Sequence, residues 1–531
     1  MKNKLDKTRE KAVLKLAKTP VKNRQEFFVV QRKIAKKYSV GLMSSQEIIK
    51  IYQNLLKRKK IERNTEFEKL IRKRAIRTMS GIAPVAVLTK PYPCPGKCAY
   101  CPSEKDVPKS YLSNEPAVMR AIRCDYNPYA QVQDRLRALV ANGHEPTKIE
   151  LIVIGGTWSY LPKKYQYWYV LNLFAGANRF RIKNKKLKIK NYKYPLSLPI
   201  KKLRELLLQE QRKNEKAKYK IIGLTLETRP DYINRKELDE MRQFGCTRVE
   251  IGVQTLDDEI LKLNKRGHGI KAIVDATKLL KNYGFKVTYH IMPGLPGATP
   301  AKDFKMFKSL FNDERFQPDQ IKFYPCVVTK GSLLYRWWKQ GKYKPYTDKQ
   351  LQNLIIKCKK EVPEYVRIIR LIRDIPGESI IAGNKVTNLR QIMQNKGIEC
   401  KCIRCRECKN QLKIKNHQLK IIYYQASLGK ECFISYESED GKILYGFCRL
   451  RLNSKVALVR ELHVYGELAS VGEKQNMVQH SGLGKKLLKQ AEEIAKDNKH
   501  NKIKIISGVG VRGYYRKLKY RLNKTYMVKN I

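Results

Sequence analysis

Three cysteines in the stretch Cys94-Pro-Gly-Lys-Cys98-Ala-Tyr-Cys101 are spaced C-x3-C-x2-C. Electron-transfer clusters normally take four cysteine ligands. A three-cysteine loop instead wraps one corner of a four-iron four-sulfur (4Fe-4S) cluster and leaves one iron open for chemistry. The molecule expected on that iron is S-adenosylmethionine, cleaved there to a radical. The competing reading is a partial zinc knuckle, for which the one further soft ligand near in sequence, Cys124, lies in a separate stretch.

A second cluster, Cys400-Lys-Cys402-Ile-Arg-Cys405-Arg-Glu-Cys408, reads C-x-C-x2-C-x2-C. Four thiolates this close satisfy a tetrahedral zinc ion with no open position, which makes the site structural, a clip between two domains. The fourth ligand is the least secure, with His417 as its substitute, and unmetallated cysteines are the competing reading. The other six cysteines (Cys124, Cys246, Cys326, Cys358, Cys432 and Cys448) are scattered singly through apolar segments, as buried residues of a reducing, cytoplasmic compartment are.

The third motif is Gln479-His-Ser-Gly482-Leu-Gly484-Lys485. Its glycines bare consecutive backbone N–H groups at the start of an amphipathic helix, and that positive end suits the pyrophosphate of acetyl-CoA. Four strands are expected before it, through Lys420, Glu431, Tyr445 and Ala457, and Gly508-Val-Gly-Val-Arg-Gly-Tyr514-Tyr515 follows where an acetyltransferase fold places its next strand and helix.

The elements that must position the first site are short apolar runs alternating with helical stretches: Ile149–Ile154, Ile221–Leu226, Val249–Val253, Val287–Met292 and Ile321–Tyr324. This is the pattern of a parallel α/β barrel or open sheet, whose functional residues sit at strand C-termini. There the sequence offers Gly155 and Gly156, then Glu227, then Glu250 and Gln254. Bare backbone and carboxylates at these positions suit the amino-acid moiety, ammonium group and ribose of S-adenosylmethionine, although each alone reads as a turn or a surface charge. The expected domains are a basic helical N-terminal segment (1–75), a radical domain (76–375), a linker with the zinc cluster (376–410) and an acyltransferase domain (411–531). Residues 181–220, with 15 Lys/Arg against 3 Asp/Glu, read as an insertion or long loop, either touching RNA or merely solvated.

Charge narrows the class of partner. The chain has 531 residues, 111 Lys+Arg and 48 Asp+Glu, a formal charge of +63. Self-repulsion on that scale calls for a polyanion, most commonly nucleic acid. A membrane surface is the rival, but no apolar run of 18 residues occurs and the first residues, Met1-Lys-Asn-Lys-Leu-Asp-Lys-Thr, are polar throughout, so neither a span nor a signal peptide is expected. The first 37 residues, with 13 Lys/Arg against 3 Asp/Glu, are the first candidate for gripping phosphates.

Cysteine triad, second cysteine cluster and acyltransferase tail, in this order, resemble the catalytic subunit of Elongator, a tRNA uridine carboxymethyl synthase. The stretches that carry the resemblance include Arg120-Ala-Ile-Arg, Glu227-Thr-Arg-Pro-Asp, Val253-Gln-Thr, Arg373-Asp-Ile-Pro, Arg460-Glu-Leu-His-Val-Tyr-Gly and the closing Ser507 to Tyr520. It implies a radical-SAM partial TIM-type barrel followed by a zinc-clipped GNAT acetyltransferase domain. Acetyl-CoA contacts are implied at Lys148, at Glu461, Leu462, His463 and Val464, at Leu483, Gly484 and Lys485, and at Tyr515, with Lys148 and Tyr515 taking part in catalysis. Also implied are an electron donor for the cluster and a mechanism in which the adenosyl radical acts on the methyl group of acetyl-CoA. The resulting carbon radical would add to carbon 5 of the wobble uridine in the anticodon stem-loop of tRNA, and thioester hydrolysis would leave a carboxymethyl group. The compact cysteine loop points to a bacterial or archaeal type that works without accessory subunits. The other reading kept open is a protein lysine acetyltransferase with a structural iron–sulfur cluster, which would call for an acidic acceptor surface; an RNA-binding scaffold without catalysis is disfavoured by intact cofactor motifs.

Overall fold

The computed structural model describes residues 2–72, 81–181, 194–386, 388–408, 417–453, 456–466 and 482–531. Four helices, Lys2–Lys18, Arg24–Lys37, Ser45–Lys57 and Thr65–Ile71, open the chain. Ser44 and Glu47 close a capping box on the third. Val13, Leu16, Phe27, Ile48 and Tyr52 form a core private to this unit, which leaves Arg32, Lys33, Lys36 and Lys37 exposed.

Seven parallel strands follow in the order β1-β2-β3-β4-β5-β6-β8, a curled half-barrel. They are β1 (Ile82–Leu88), β2 (Lys148–Ile154), β3 (Lys220–Thr228), β4 (Arg248–Gln254), β5 (Lys286–Ile291), β6 (Gln320–Phe323) and β8 (Arg367–Arg370). Between the last two, β7 (Val328–Thr329) pairs with the later β9 (Ile380–Ala382). The five expected strands are present. β1 and β8 add to them, the latter only four residues long and carrying two arginines.

The Lys-rich segment is corrected in part. Ile200–Lys216 is a helix that buries Leu203 and Leu207 in the barrel core, so its lysines decorate the outer face of a crossover helix rather than a loop. Residues 182–193 lie outside the described residues.

The C-terminal sheet contains β10 (His417–Gln425), β11 (Lys430–Ser438), β12 (Leu444–Leu452), β13 (Ala457–Val464), β14 (Lys502–Ile505), β15 (Arg521–Asn523) and β16 (Tyr526–Asn530), in the order β10-β11-β12-β13-β14-β16-β15. β13 and β14 pair in parallel only over Ala457–Val459 and Ile503–Ile505. Beyond that they part, which frees the backbone of Glu461 to Val464 on the side facing β14. The helix Leu483–Asp497 covers the sheet with Leu487, Leu488, Ala491, Ile494 and Ala495.

The two sheets are not separate bodies. One apolar core runs from Leu224 and Val249 through Cys402 and Ile403 to Phe433, Phe447, Ile506 and Val509. Glycines of the closing motif permit this close approach. A Cβ on Gly508 would lie 1.9 Å from the Ile222 carbonyl oxygen of β3, and one on Gly510 would lie 2.9 Å from that of Ile221. No helix among the described residues is long and apolar enough to cross a membrane.

Candidate active site

The curled sheet brings the cysteine loop and the C-terminal domain onto a single cavity of about 1120 Å³. Because strand side chains alternate between faces, the lumen takes every second residue: Lys148, Glu150, Ile152 and Ile154 from β2, and Arg248, Glu250, Gly252 and Gln254 from β4. Cys94, Cys98, Cys101 and Gly156 line one end. Glu461 to Val464, Gly482, Gly484, Lys485, Tyr514 and Tyr515 line the other. Since β2 begins with Lys148 and ends at Ile154, the lysine expected in catalysis opens toward the acyl end and the cysteines toward the strand C-termini.

At the cysteine end, Arg266 Nη1 donates to Cys98 Sγ at 3.2 Å. The Cys101 thiol, and after it Arg266, hold the Cys98 thiol down to about 5 against burial. Gln254 sits at φ +69°, unusual for a residue with a Cβ, and its Oε1 is buried without a hydrogen-bond partner. Tyr111 donates to Glu227 at 3.1 Å, and His290 spans the two carboxylates, with Nε2 2.9 Å from Glu250 and Nδ1 3.6 Å from Glu227. Glu250 is fully buried and also pairs with Lys322 and Arg248. Burial pushes its carboxyl up, but Lys322 and His290 outweigh this and hold it well below the ordinary range.

Gly156, at φ +92°, has open space where a Cβ would stand, whereas a Cβ on Gly155 would strike Thr89 Oγ1 at 2.3 Å. Gly156 thus faces the cavity and Gly155 serves chain packing. Sequence reasoning missed His290, Lys322, Tyr111, Arg266 and Arg229. Arg229 had a signal, being two residues after Glu227 in the same motif.

At the acyl end, Gly482 caps the helix Leu483–Asp497 at φ +77°, and a Cβ on Gly484 would lie 2.9 Å from the Tyr514 hydroxyl. These glycines keep the helix N-terminus bare, as a pyrophosphate site requires. Leu483 points into the core at 2 % exposure, so it offers only backbone. Gln479 lies outside the described residues. Burial alone depresses the Lys148 amine and dominates the upward shift of the Tyr515 hydroxyl. Against the upward push of burial, Lys286 and Arg449 hold the Glu461 carboxyl down to about 2. Buried His463 Nε2 and Ser507 Oγ have no hydrogen-bond partner, and both residues line this end, an arrangement fit for a polar ligand.

The Sγ atoms of Cys400, Cys402 and Cys405 lie within 4.8 Å of one another, close enough for one small ion. Cys408 and His417 do not join them. The chain after Cys405 enters a bridge from Glu407 to Leu444 of β12, which carries Cys408 onto the C-terminal sheet, where it lines the large cavity. His417 is exposed on β10. The segment does join the two sheets: Ile403 N–H donates to Val366 at 2.9 Å, Cys408 N–H to Leu444 at 3.0 Å, and Arg367 pairs with Glu407 at 2.7 Å.

A half-barrel with a three-cysteine loop at its strand C-termini, joined to a mixed sheet whose helix begins on bare glycines, is the architecture of a radical SAM protein with a second, C-terminal α/β domain. The Radical SAM superfamily profile matches residues 92–309 and the Radical SAM C-terminal domain profile residues 318–397. The chain is 42% identical over 480 residues to a tRNA uridine(34) acetyltransferase of Dehalococcoides mccartyi, covering 86% of this chain and 100% of that protein. It is 37% identical to human Elongator complex protein 3, covering 86% of each. The solved structure of archaeal Methanocaldococcus infernus Elp3 with an N-terminal deletion superposes with a TM-score of 0.71 at 37% identity, covering 86% of this chain and all of the other. The chain belongs to this family, that of the tRNA uridine(34) acetyltransferases and Elongator complex protein 3.

Radical SAM membership implies a four-iron cluster and S-adenosylmethionine. The residues fit both: the three thiols of Cys94, Cys98 and Cys101 on the cavity wall, guanidinium N–H groups of Arg229 and Arg266 buried without partners, and the orphaned Gln254 Oε1.

Proposed function

We propose that this chain is a cytoplasmic tRNA carboxymethyl synthase, which uses S-adenosylmethionine radical chemistry and acetyl-CoA to modify carbon 5 of the anticodon wobble uridine. The observation that carries this reading is the shared cavity, lined by the cysteine loop at one end and by the bare-glycine helix start at the other. A polar acetyl transferase needs no such junction. Forming a carbon–carbon bond at a poorly nucleophilic ring carbon does.

In this reading Cys94, Cys98 and Cys101 hold the cluster. Gly156 backbone, Glu227 and Gln254 receive the polar groups of adenosylmethionine. The bound pair supplies one-electron chemistry at a C–H bond. Glu250, whose Oε2 is held by Lys322 and His290 and whose charge Arg248 also faces, fixes the lumen wall and orients His290 toward Glu227. At the other end Gly482, Gly484 and Lys485 take the pyrophosphate of acetyl-CoA, and the backbone of Glu461 to Val464 takes its pantetheine. Lys148 and Tyr515, a depressed amine and a buried hydroxyl, are placed to donate or hold a proton near the thioester.

Arg370 and Arg404 line the same cavity with guanidiniums about two-fifths exposed, which suits phosphates flanking a uridine turned out of the loop. The exposed basic face of the N-terminal helices extends the grip on tRNA. Zinc at Cys400, Cys402 and Cys405 would lock the junction, and no accessory subunit is required in this reading.

Anaerobic incubation with tRNA, acetyl-CoA, adenosylmethionine and reductant, followed by nucleoside mass spectrometry, tests the reading. Carboxymethyluridine is expected from the wild type and none from Cys94→Ala, Cys98→Ala or Cys101→Ala, which should also lose the brown absorbance. Product from a cluster-free variant would refute it.

A further inference from the structure

Beside the cysteine loop lie two guanidiniums and one carboxylate. Arg266 is 5 % exposed. Its Nη1 donates to Cys98 Sγ at 3.2 Å, its Nη2 donates to the Gly252 carbonyl, and its Nε is buried with no partner. Arg229, 7 % exposed, donates from Nη2 to the Arg266 carbonyl at 2.8 Å and pairs with Asp231 at 2.7 Å. Its Nη1 is buried without a partner. That nitrogen abuts the loop: a Cβ on Gly96, between Cys94 and Cys98, would lie 2.4 Å from it. Gly96 is therefore glycine because Arg229 occupies the space.

A guanidinium cannot shed its proton in a protein, and a buried cation without an anion is costly. Asp231 answers one of the two charges. The anion that balances the other has to come from the loop itself, as thiolates on a metal cluster.

We propose that Arg229 and Arg266 form a cationic seat that raises the reduction potential of the cluster held by Cys94, Cys98 and Cys101. Reduction adds one electron from an external one-electron donor and breaks no bond, so the reduced cluster is one unit more negative. A fixed positive charge and an N–H donated to a ligand sulfur stabilise the more negative state more than the oxidised one. Two guanidiniums do this without competing for the cluster, because arginine has no lone pair to offer a metal. The inference rests on the reading that this loop holds the cluster, and iron content reports on that reading separately from the potential.

The test uses full-length protein reconstituted anaerobically with iron and sulfide, comparing wild type, Arg266→Gln, Arg266→Lys and Arg229→Gln. Each is titrated potentiometrically by electron paramagnetic resonance. At the wild-type midpoint, Arg266→Gln should drop the reduced-to-oxidised ratio about tenfold, equivalent to ~59 mV for one electron. Arg266→Lys, which keeps the charge but loses the fork, should recover part of that, and Arg229→Gln should fall less than Arg266→Gln. Unchanged midpoints at full iron content would overturn the proposal. So would loss of the cluster from both Arg266 variants, which would make Arg266 a prop of the loop. A wild-type chain that took up no iron would sink the cluster reading and this inference with it.

Discussion

Arg460 of the C-terminal sheet and Asp319 of the barrel meet in a two-pronged ion pair, Nη1 donating to Oδ1 at 3.0 Å and Nη2 to Oδ2. Neither side chain reaches solvent. Glu431 accepts from the same guanidinium at 2.9 Å, and Lys281 lies 3.5 Å from Asp319 and 3.7 Å from Glu431. The residue before Glu461 is thus tied to the barrel by charges with no water to replace the partner if one is removed.

Asp319→Asn should therefore destabilise the protein by about 3–5 kcal/mol, since it leaves buried cations uncompensated. Burial pushes the Asp319 carboxyl up, but Arg460 and Lys281 outweigh it and hold the folded value far below the ordinary range. Its stabilisation is therefore fully present above about pH 4, the unfolded value, and fades as pH falls toward the folded one. Urea unfolding at pH 7 and pH 3.5 should show the wild type losing more stability between them than Asp319→Asn. A variant within 1 kcal/mol of wild type at pH 7 would be the contrary result.

Gly508 has φ −66°, open to any residue, so its demand for glycine is steric alone. Gly508→Ala should force the C-terminal domain off β3 at a cost of about 1–3 kcal/mol. Lower Tm and weaker acetyl-CoA binding are expected together, because Ser507 and Gly508 line the cavity. Unaltered melting would mean that β3 yields freely.

Metal analysis separates the second cysteine cluster. Zinc at about one ion per chain should persist in Cys408→Ala and in His417→Ala, and disappear from Cys402→Ala or Cys405→Ala. Full loss from Cys408→Ala would mean that the bridge from Glu407 to Leu444 opens when zinc binds.

The N-terminal helices have a private core containing Val13, Leu16 and Phe27, so removing their first half would unfold the rest. Charge substitution is the cleaner test. Replacing Arg32, Lys33, Lys36 and Lys37 by Gln should weaken tRNA binding and flatten log K against log salt by roughly 0.7–0.9 for each phosphate no longer neutralised. Cluster content should be unaffected. An unchanged slope would move the grip to the arginines of the cavity.

What could be read from the sequence was chemistry with local spacing: the two cysteine clusters, the glycines on either side of Leu483, and strands β2 to β6 with their apolar runs. β8 escaped because Arg-Ile-Ile-Arg is too short for a period to show. Arg229 and Arg266 escaped for a different reason. They are 37 residues apart, and only the curl of the sheet lays Arg229 against Gly96 and Arg266 against Cys98. His290 escaped likewise, because the pairing of Glu250 with Thr288 across β4 and β5 is what brings it between Glu227 and Glu250. Gly508 was seen, but only as part of the motif expected at the next strand and helix, since nothing in a sequence shows that a glycine will be pressed against a strand of another sheet.

The apolar core that passes from Leu224 through Ile403 to Phe447 and Val509 makes each half of the chain dependent on the other. A gene fragment for either half would encode a protein with a wall of bare hydrocarbon where the other half belongs, and such a surface aggregates before it can be selected. Recombination that exchanges one half therefore has to bring a matching wall with it, so the two halves are constrained to change together.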